Sequence, residues 1–244
     1  MLPSKGVLLR NYSKGIVEKI NNLKLNRGSK VILIILVVLI IDQFLKIWVK
    51  LNMEYGSEFA IFGLEWAKIH FVENNGMAFG MSIGGSFGKL ILSVFRIIAV
   101  SALGYYLFIL VKGKESMKLL GSFALILAGA IGNIIDSVFY GIIFSSSSYH
   151  GGYASLFPEN GGYSSFLHGK VVDMLYFPII NGKIPSWFPF WQNENFHFFK
   201  PVFNIADTAI TLGVIGIILF SKHFLPTKSK AKVEEVVPDV TEET

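Results

Sequence analysis

The stretch VILIILVVLIIDQFLKIWV, residues 31–49, decides the fold. Its first ten residues resemble the apolar centre of a secretion signal, and the basic arm ahead of it fits that reading. The run continues to Val49 without a small-x-small cleavage site, so it is expected to stay in the protein as a first membrane span. Working outward, three more apolar runs follow at about residues 89–111, 119–135 and 202–220. Each approaches the ~20 residues that cross ~30 Å of hydrocarbon. All four far exceed the ~10 residues of a barrel strand, so they are read as helices. Composition agrees: of 244 residues 52% are hydrophobic and 16% charged, against about 25% charged in soluble domains. Mean hydropathy is +0.53. The absence of Cys excludes disulfides, thiolate metal sites and a cysteine nucleophile.

The charge distribution predicts orientation. The net charge is +5 and the isoelectric point about 9.2, but Lys and Arg gather beside the apolar runs instead of forming a stripe for nucleic acid. Residues 1–30 carry Lys5, Arg10, Lys14, Lys19, Lys24, Arg27 and Lys30 against Glu18 alone. The link KGKESMK, residues 112–118, and the tail with Lys222, Lys228, Lys230 and Lys232 are also basic. With four spans these three segments share a side, so both termini are expected in the cytoplasm. The domain reading is a basic arm over 1–30, a four-span unit over 31–221 and a disordered tail over 222–244. The two long connections then face outward. The second holds Trp187, Phe188, Phe190, Trp191, Phe196, Phe198 and Phe199, suited to the bilayer interface.

Carboxylates mark the candidate site. Of five Asp, only Asp239 lies in the tail; Asp42, Asp136, Asp173 and Asp207 lie in or beside apolar segments. A charge at membrane depth costs a few kcal/mol even on the lenient insertion scale, so each needs a reason. Asp42 and Lys46 are four apart on one helix face and read as an ion pair. Asn133 and Asp136 share a face at the end of span three, where the glycines of GAIGNIIDS also allow a polar packing seam. Asp173 sits in KVVDMLYF, read as a short strand or re-entrant segment. Asp207 opens span four, with Asn204 a candidate helix cap one turn earlier. Asn75-Gly76 in FVENNGMAFGMS reads as a turn, or as a substrate contact. The expected topology brings the four carboxylates to one outer boundary. Two carboxylates sharing a low-dielectric site divide one proton, which is the arrangement of an aspartic protease and needs no metal. No HExxH and no Walker A loop is present.

Five blocks in order resemble one family, the lipoprotein signal peptidases or signal peptidase II: DQFLK (42–46), ENNGMAFG (73–80), GAIGNIID (129–136), VVDML (171–175) and FNIADTAITLG (203–213). The resemblance implies a membrane α-helical fold with four transmembrane helices, a small outer β-sheet and an interfacial segment. It implies a catalytic dyad of Asp173 and Asp207, supported by Asn75 as the Asn of NxGxAF, by Asn133 and Asp136 of the third block, and by Asn204; the Asp42–Lys46 pair, read from its spacing, is counted as site-supporting beside them. The implied substrate is a prolipoprotein whose lipobox Cys carries diacylglycerol, cut just before that Cys, in the cytoplasmic membrane of a bacterium. No cofactor is implied, membrane lipid is a partner, nucleic acid is not, and a monomer is expected. Two departures stand out. Ser137 occupies the place where the family has Arg, with Arg96 of span two as a candidate substitute, and about 144–170 and 178–200 look like insertions. The second places residue 207 a full 34 positions after residue 173. A small ion-coupled transporter is the competing class; it predicts mid-bilayer carboxylates and an internal repeat, and no repeat is visible.

Overall fold

The long apolar runs become helices whose outer surfaces stay apolar. In a computed structural model, which describes residues 25–76, 85–149, 152–183, 195–198 and 201–220, α1 spans Arg27–Asn52, α2 Gly85–Lys112 and α3 Met117–Ile135. The side chain of Asn26 caps α1 and that of Ser116 caps α3, each accepting a backbone N–H of the first turn. α3 runs on through a wide π turn, Asp136–Tyr140, to Ile143. α1, α2 and extended α3 are long and apolar enough to cross a bilayer. α4, Ile205–Phe220, covers 16 residues, about 24 Å at 1.5 Å per residue. It begins three residues later than the sequence suggests, because Val202–Phe203 are drawn into the sheet as strand β6. Ile40, Phe44, Phe95, Ile98, Ile218 and Leu219 are all exposed. Water would penalise such a surface and lipid would not.

α3 is the centre of the helical layer, with α1, α2 and α4 packed on it. Val31, Leu107, Leu110, Leu120, Ala124 and Leu127 form the core between α1, α2 and α3. The α3–α4 contact is closest: a Cβ placed on Gly129 would run into the Ala206 carbonyl oxygen, so only glycine permits this approach. At the other end of the bundle Arg27 donates to the carbonyls of Gly113 and Glu115, tying the start of α1 to the α2–α3 link.

The sheet stands at the opposite end. β1 (Glu58–Ile61), β2 (Leu64–Asn74), β3 (Val171–Tyr176) and β6 form an antiparallel sheet in the order β1-β2-β3-β6. β4 (Ile180–Lys183) and β5 (Asn195–Phe198) form a separate antiparallel hairpin. Phe71, Val172 and Met174 pack with Val49, Met53, Tyr140 and Phe144, so the sheet rests on the ends of α1 and α3. The extra segment after α3 is strapped to it: Ser164, Leu167 and Gly169 donate backbone N–H groups to the carbonyls of Gly141, Val138 and Ser137. These hydrogen bonds supply partners for carbonyls at the π turn and helix end, whose next turn is missing. The basic arm up to residue 24, the tail from 221 and the aromatic run 184–194 lie outside the described residues.

Candidate active site

Side-chain alternation in β3 sends Val172 and Met174 into the core under the sheet and Asp173 to the other face, where it meets the start of α4. Asp207 stands at the third position of α4 and Asn204 caps it. Asn204 Oδ1 accepts the Asp207 N–H at 2.9 Å, and Asp207 Oδ2 faces the Asn204 N–H at 3.4 Å. This reciprocal arrangement is a capping box. The same Asn204 donates through Nδ2 to Asp173 Oδ1 at 2.7 Å, so one side-chain amide ties the Asp173 carboxyl to the backbone of Asp207. Asn133, from α3, donates to Asp207 Oδ1 at 2.8 Å. Asn74, the last residue of β2, donates to Asp173 Oδ2. Asp173 is 4% exposed. Burial first, and the neighbouring Asp207 charge second, push its carboxyl up to about 7.

Behind this pair lies an ion cluster. Lys46 Nζ is 2.9 Å from both Asp42 Oδ2 and Asp136 Oδ2, with all three side chains fully buried. The expected Asp42–Lys46 pair is therefore half of a trio that joins α1 to α3. Gln43 donates to Asp136 Oδ1 at 3.0 Å and to Asp42 Oδ2 at 3.1 Å, and accepts from the Tyr140 hydroxyl. One step further along the same face of α1, buried Lys50 pairs with Glu73 and donates to Ser147 Oγ at 2.9 Å. The four apolar-segment aspartates are thus gathered into one connected network.

Asn75 is not in it. Its Oδ1 accepts from Lys89 Nζ at 3.1 Å, while Asn74 occupies the carboxylate. Counting back two from Gly76, the pattern NxGxAF in fact puts its Asn at 74, so the expectation for Asn75 is corrected by one position. Ser137 is buried and donates to the Asn133 carbonyl within α3. Arg96 donates to the Gly76 carbonyl, two residues beyond Asn74, and feels the Asp207 charge. The run GGSFG, residues 84–88, has the G-x-S-x-G spacing of a nucleophile elbow. Its residues 85–88 open α2, and no strand among the described residues leads into that helix. Among the described residues no three His, Cys, Asp or Glu side chains gather in metal-holding geometry.

Gln43, Glu73 and Asn74 lie inside the matched blocks without being singled out there, and Lys50 lies outside them. Lys50 continues the four-residue spacing of Asp42 and Lys46, and Asn74 follows from the count above.

Comparison with known proteins converges on one family. The family model described as signal peptidase II matches residues 34–223. The lipoprotein signal peptidase of Porphyromonas gingivalis is 51% identical over 193 residues, covering 79% of this chain and 82% of the relative. That of Amoebophilus asiaticus is 40% identical over 189 residues, covering 76% and 75%. Among solved structures, a bacterial membrane enzyme crystallised by the in meso method superposes with a TM-score of 0.52 at 26% identity, covering 83% of this chain and 93% of that one.

Proposed function

The chain belongs to the signal peptidase II family, and from that premise we propose that it is an aspartyl endopeptidase that removes the signal peptides of prolipoproteins. In this reading Asp173 and Asp207 are the dyad, and the bond cut lies just before a lipobox Cys that carries diacylglycerol. The observation that carries it is the Asn204 amide, which donates to Asp173 while its oxygen caps the helix that presents Asp207. The nearby Asp207 charge also helps to raise the Asp173 carboxyl, and two carboxylates that interact in this way divide one proton. Asp173 is the more buried and holds its proton up to about 7, which suits it to polarise the scissile carbonyl. Ionised Asp207 takes a proton from water, and the water oxygen bonds to the carbonyl carbon. As the tetrahedral intermediate collapses, the carbon–nitrogen bond breaks and Asp207 returns the proton to the leaving amine. Asn74, Asn133 and Asn204 keep the carboxylates in place as donors.

The protein is placed in the cytoplasmic membrane of a bacterium as a multi-pass monomer, with both termini inside and the dyad near the outer face. The Lys and Arg of the N-terminal arm, the α2–α3 link and the tail support that orientation. A diacylated substrate reaches such a site sideways from the lipid. The test is gel-shift cleavage of a purified lipidated prolipoprotein in detergent. Asp173→Asn and Asp207→Asn should each abolish turnover in a folded protein, and wild-type-like turnover by either would remove that residue from the mechanism.

A further inference from the structure

The Asp42–Lys46–Asp136 trio is fully buried, yet its contacts run forward to the dyad by two routes. One is the backbone. Asp136 Oδ2 accepts the Val172 N–H at 3.2 Å, and Asp42 Oδ1 accepts the Ala206 N–H at 2.8 Å. Val172 immediately precedes Asp173, and Ala206 immediately precedes Asp207. Each inner carboxylate therefore grips the chain one peptide ahead of one outer carboxylate. Lys46, 2.9 Å from both, joins the two grips.

The second route is an amide. Lys46 Nζ lies 3.0 Å from Asn133 Oδ1. An ammonium only donates, so that atom must be the amide oxygen, and the NH2 of Asn133 must face Asp207. Asn204 does not settle this orientation by itself. Its two N–H hydrogens are spread over three acceptors: Asp173 Oδ1 at 2.7 Å, Asn133 Oδ1 at 3.1 Å and the Val172 carbonyl at 3.2 Å. Lys46 is the donor that fixes it.

We propose that Lys46 is a positioning residue of the reaction: between its two counterions it locks the Asn133 amide as a donor to Asp207 and holds the two dyad segments in register. This rests on Asp173 and Asp207 being the dyad. A hydrogen bond donated to the charged form of a carboxylate favours that form. The charged groups around Asp207 are Asp173 from β3, Arg96 from α2, and, behind Asn133, Lys46 and Asp42 from α1 and Asp136 from α3.

Two variants of the full chain test it, with kcat and KM for a lipidated prolipoprotein followed across pH. Lys46→Met with Asp42→Asn removes one charge of each sign, so the buried net charge is kept, and the new amide retains an oxygen for the Ala206 N–H. Asn133→Leu breaks the lock while leaving the ion trio whole. Both should lose roughly tenfold in kcat near the acidic limb with KM within about twofold, and the acidic limb should move up by roughly one pH unit. A purely structural role would lower the folded yield and leave the pH profile per folded molecule unmoved. An unmoved acidic limb in Asn133→Leu alone overturns the proposal, whatever the folded yield of the other variant. Asp173→Asn and Asp207→Asn run in the same series separate the two levels. If they turn over, the dyad reading fails; if they are dead and the limb is unmoved, only the role of Lys46 fails.

Discussion

Asn74 and Asn75 are chemically identical neighbours with opposite fates. Asn74 Nδ2 faces the Asp173 carboxylate, and its Oδ1 accepts the Gly76 N–H, which fixes the direction of the amide. A hydrogen bond to a neutral carboxyl contributes about 1 kcal/mol, so Asn74→Ala should lower kcat/KM by roughly fivefold. Asn75→Ala should stay within about twofold, since among the described residues the Asn75 side chain meets Lys89 at the rim and not the dyad. Comparable losses in both variants, measured by gel shift, would return Asn75 to the site. Asp173 carries a second residue-level prediction. Its carboxyl is raised from the model-peptide value of 3.8 to about 7 in the folded protein, by burial first and Asp207 second. The folded state thus holds that proton more tightly than the unfolded chain. Its stabilising contribution is complete below about 3.8 and is lost as pH rises through about 7. Wild-type melting temperature in detergent should fall across that window, and Asp173→Asn should flatten the fall. Turnover, which needs the proton on Asp173, should decline on the alkaline side near pH 7.

At the scale of elements, the α3–α4 contact fixes the site, because Asn133 on α3 must reach Asp207 on α4. Gly129 lets the helices close, and a Cβ there would meet the Ala206 carbonyl oxygen, one residue before Asp207. Gly129→Ala should cost about 1–3 kcal/mol, with loss of activity to match. Gly104→Ala on α2 is the control. Its Cβ would meet only Leu127 methyl carbons at 3.9 Å, so there the better helix propensity of Ala should leave the protein as stable or slightly more so. Equal melting temperatures for the two variants would show that the α3–α4 approach has slack. The π turn at Asp136 belongs to this scale too. One wide turn aims Asp136 at Lys46 and Val172, and the strapped segment after α3 covers the carbonyls at its end.

For the whole molecule, the described dyad is held by amide donors, with the buried Lys46 ammonium behind them. Each oxygen of Asp173 faces an Asn NH2. Such a centre predicts turnover that survives EDTA. Loss of cleavage on chelation, restored by zinc, would replace the dyad with metal chemistry.

The sequence by itself determined the apolar segments and the suspicious carboxylates. Both are local properties: hydropathy over ~20 residues is legible without a partner, and an Asp inside such a run is costly wherever it points. The early part of α1, the three long helices and the capping role of Asn204 were legible for the same reason. Tertiary structure decided which polar groups meet. Asp42 and Ala206 are 164 positions apart, and Asn74 and Asp173 are 99 apart. No spacing rule connects them, because their contact depends on how β2 and β3 register and how closely α4 approaches α3. It also turned an i,i+4 pair into a trio and drew Val202–Phe203 out of the fourth helix into the sheet. Hydrophobic burial chose the elements; the requirement that every buried charge and amide find a partner arranged them around one site.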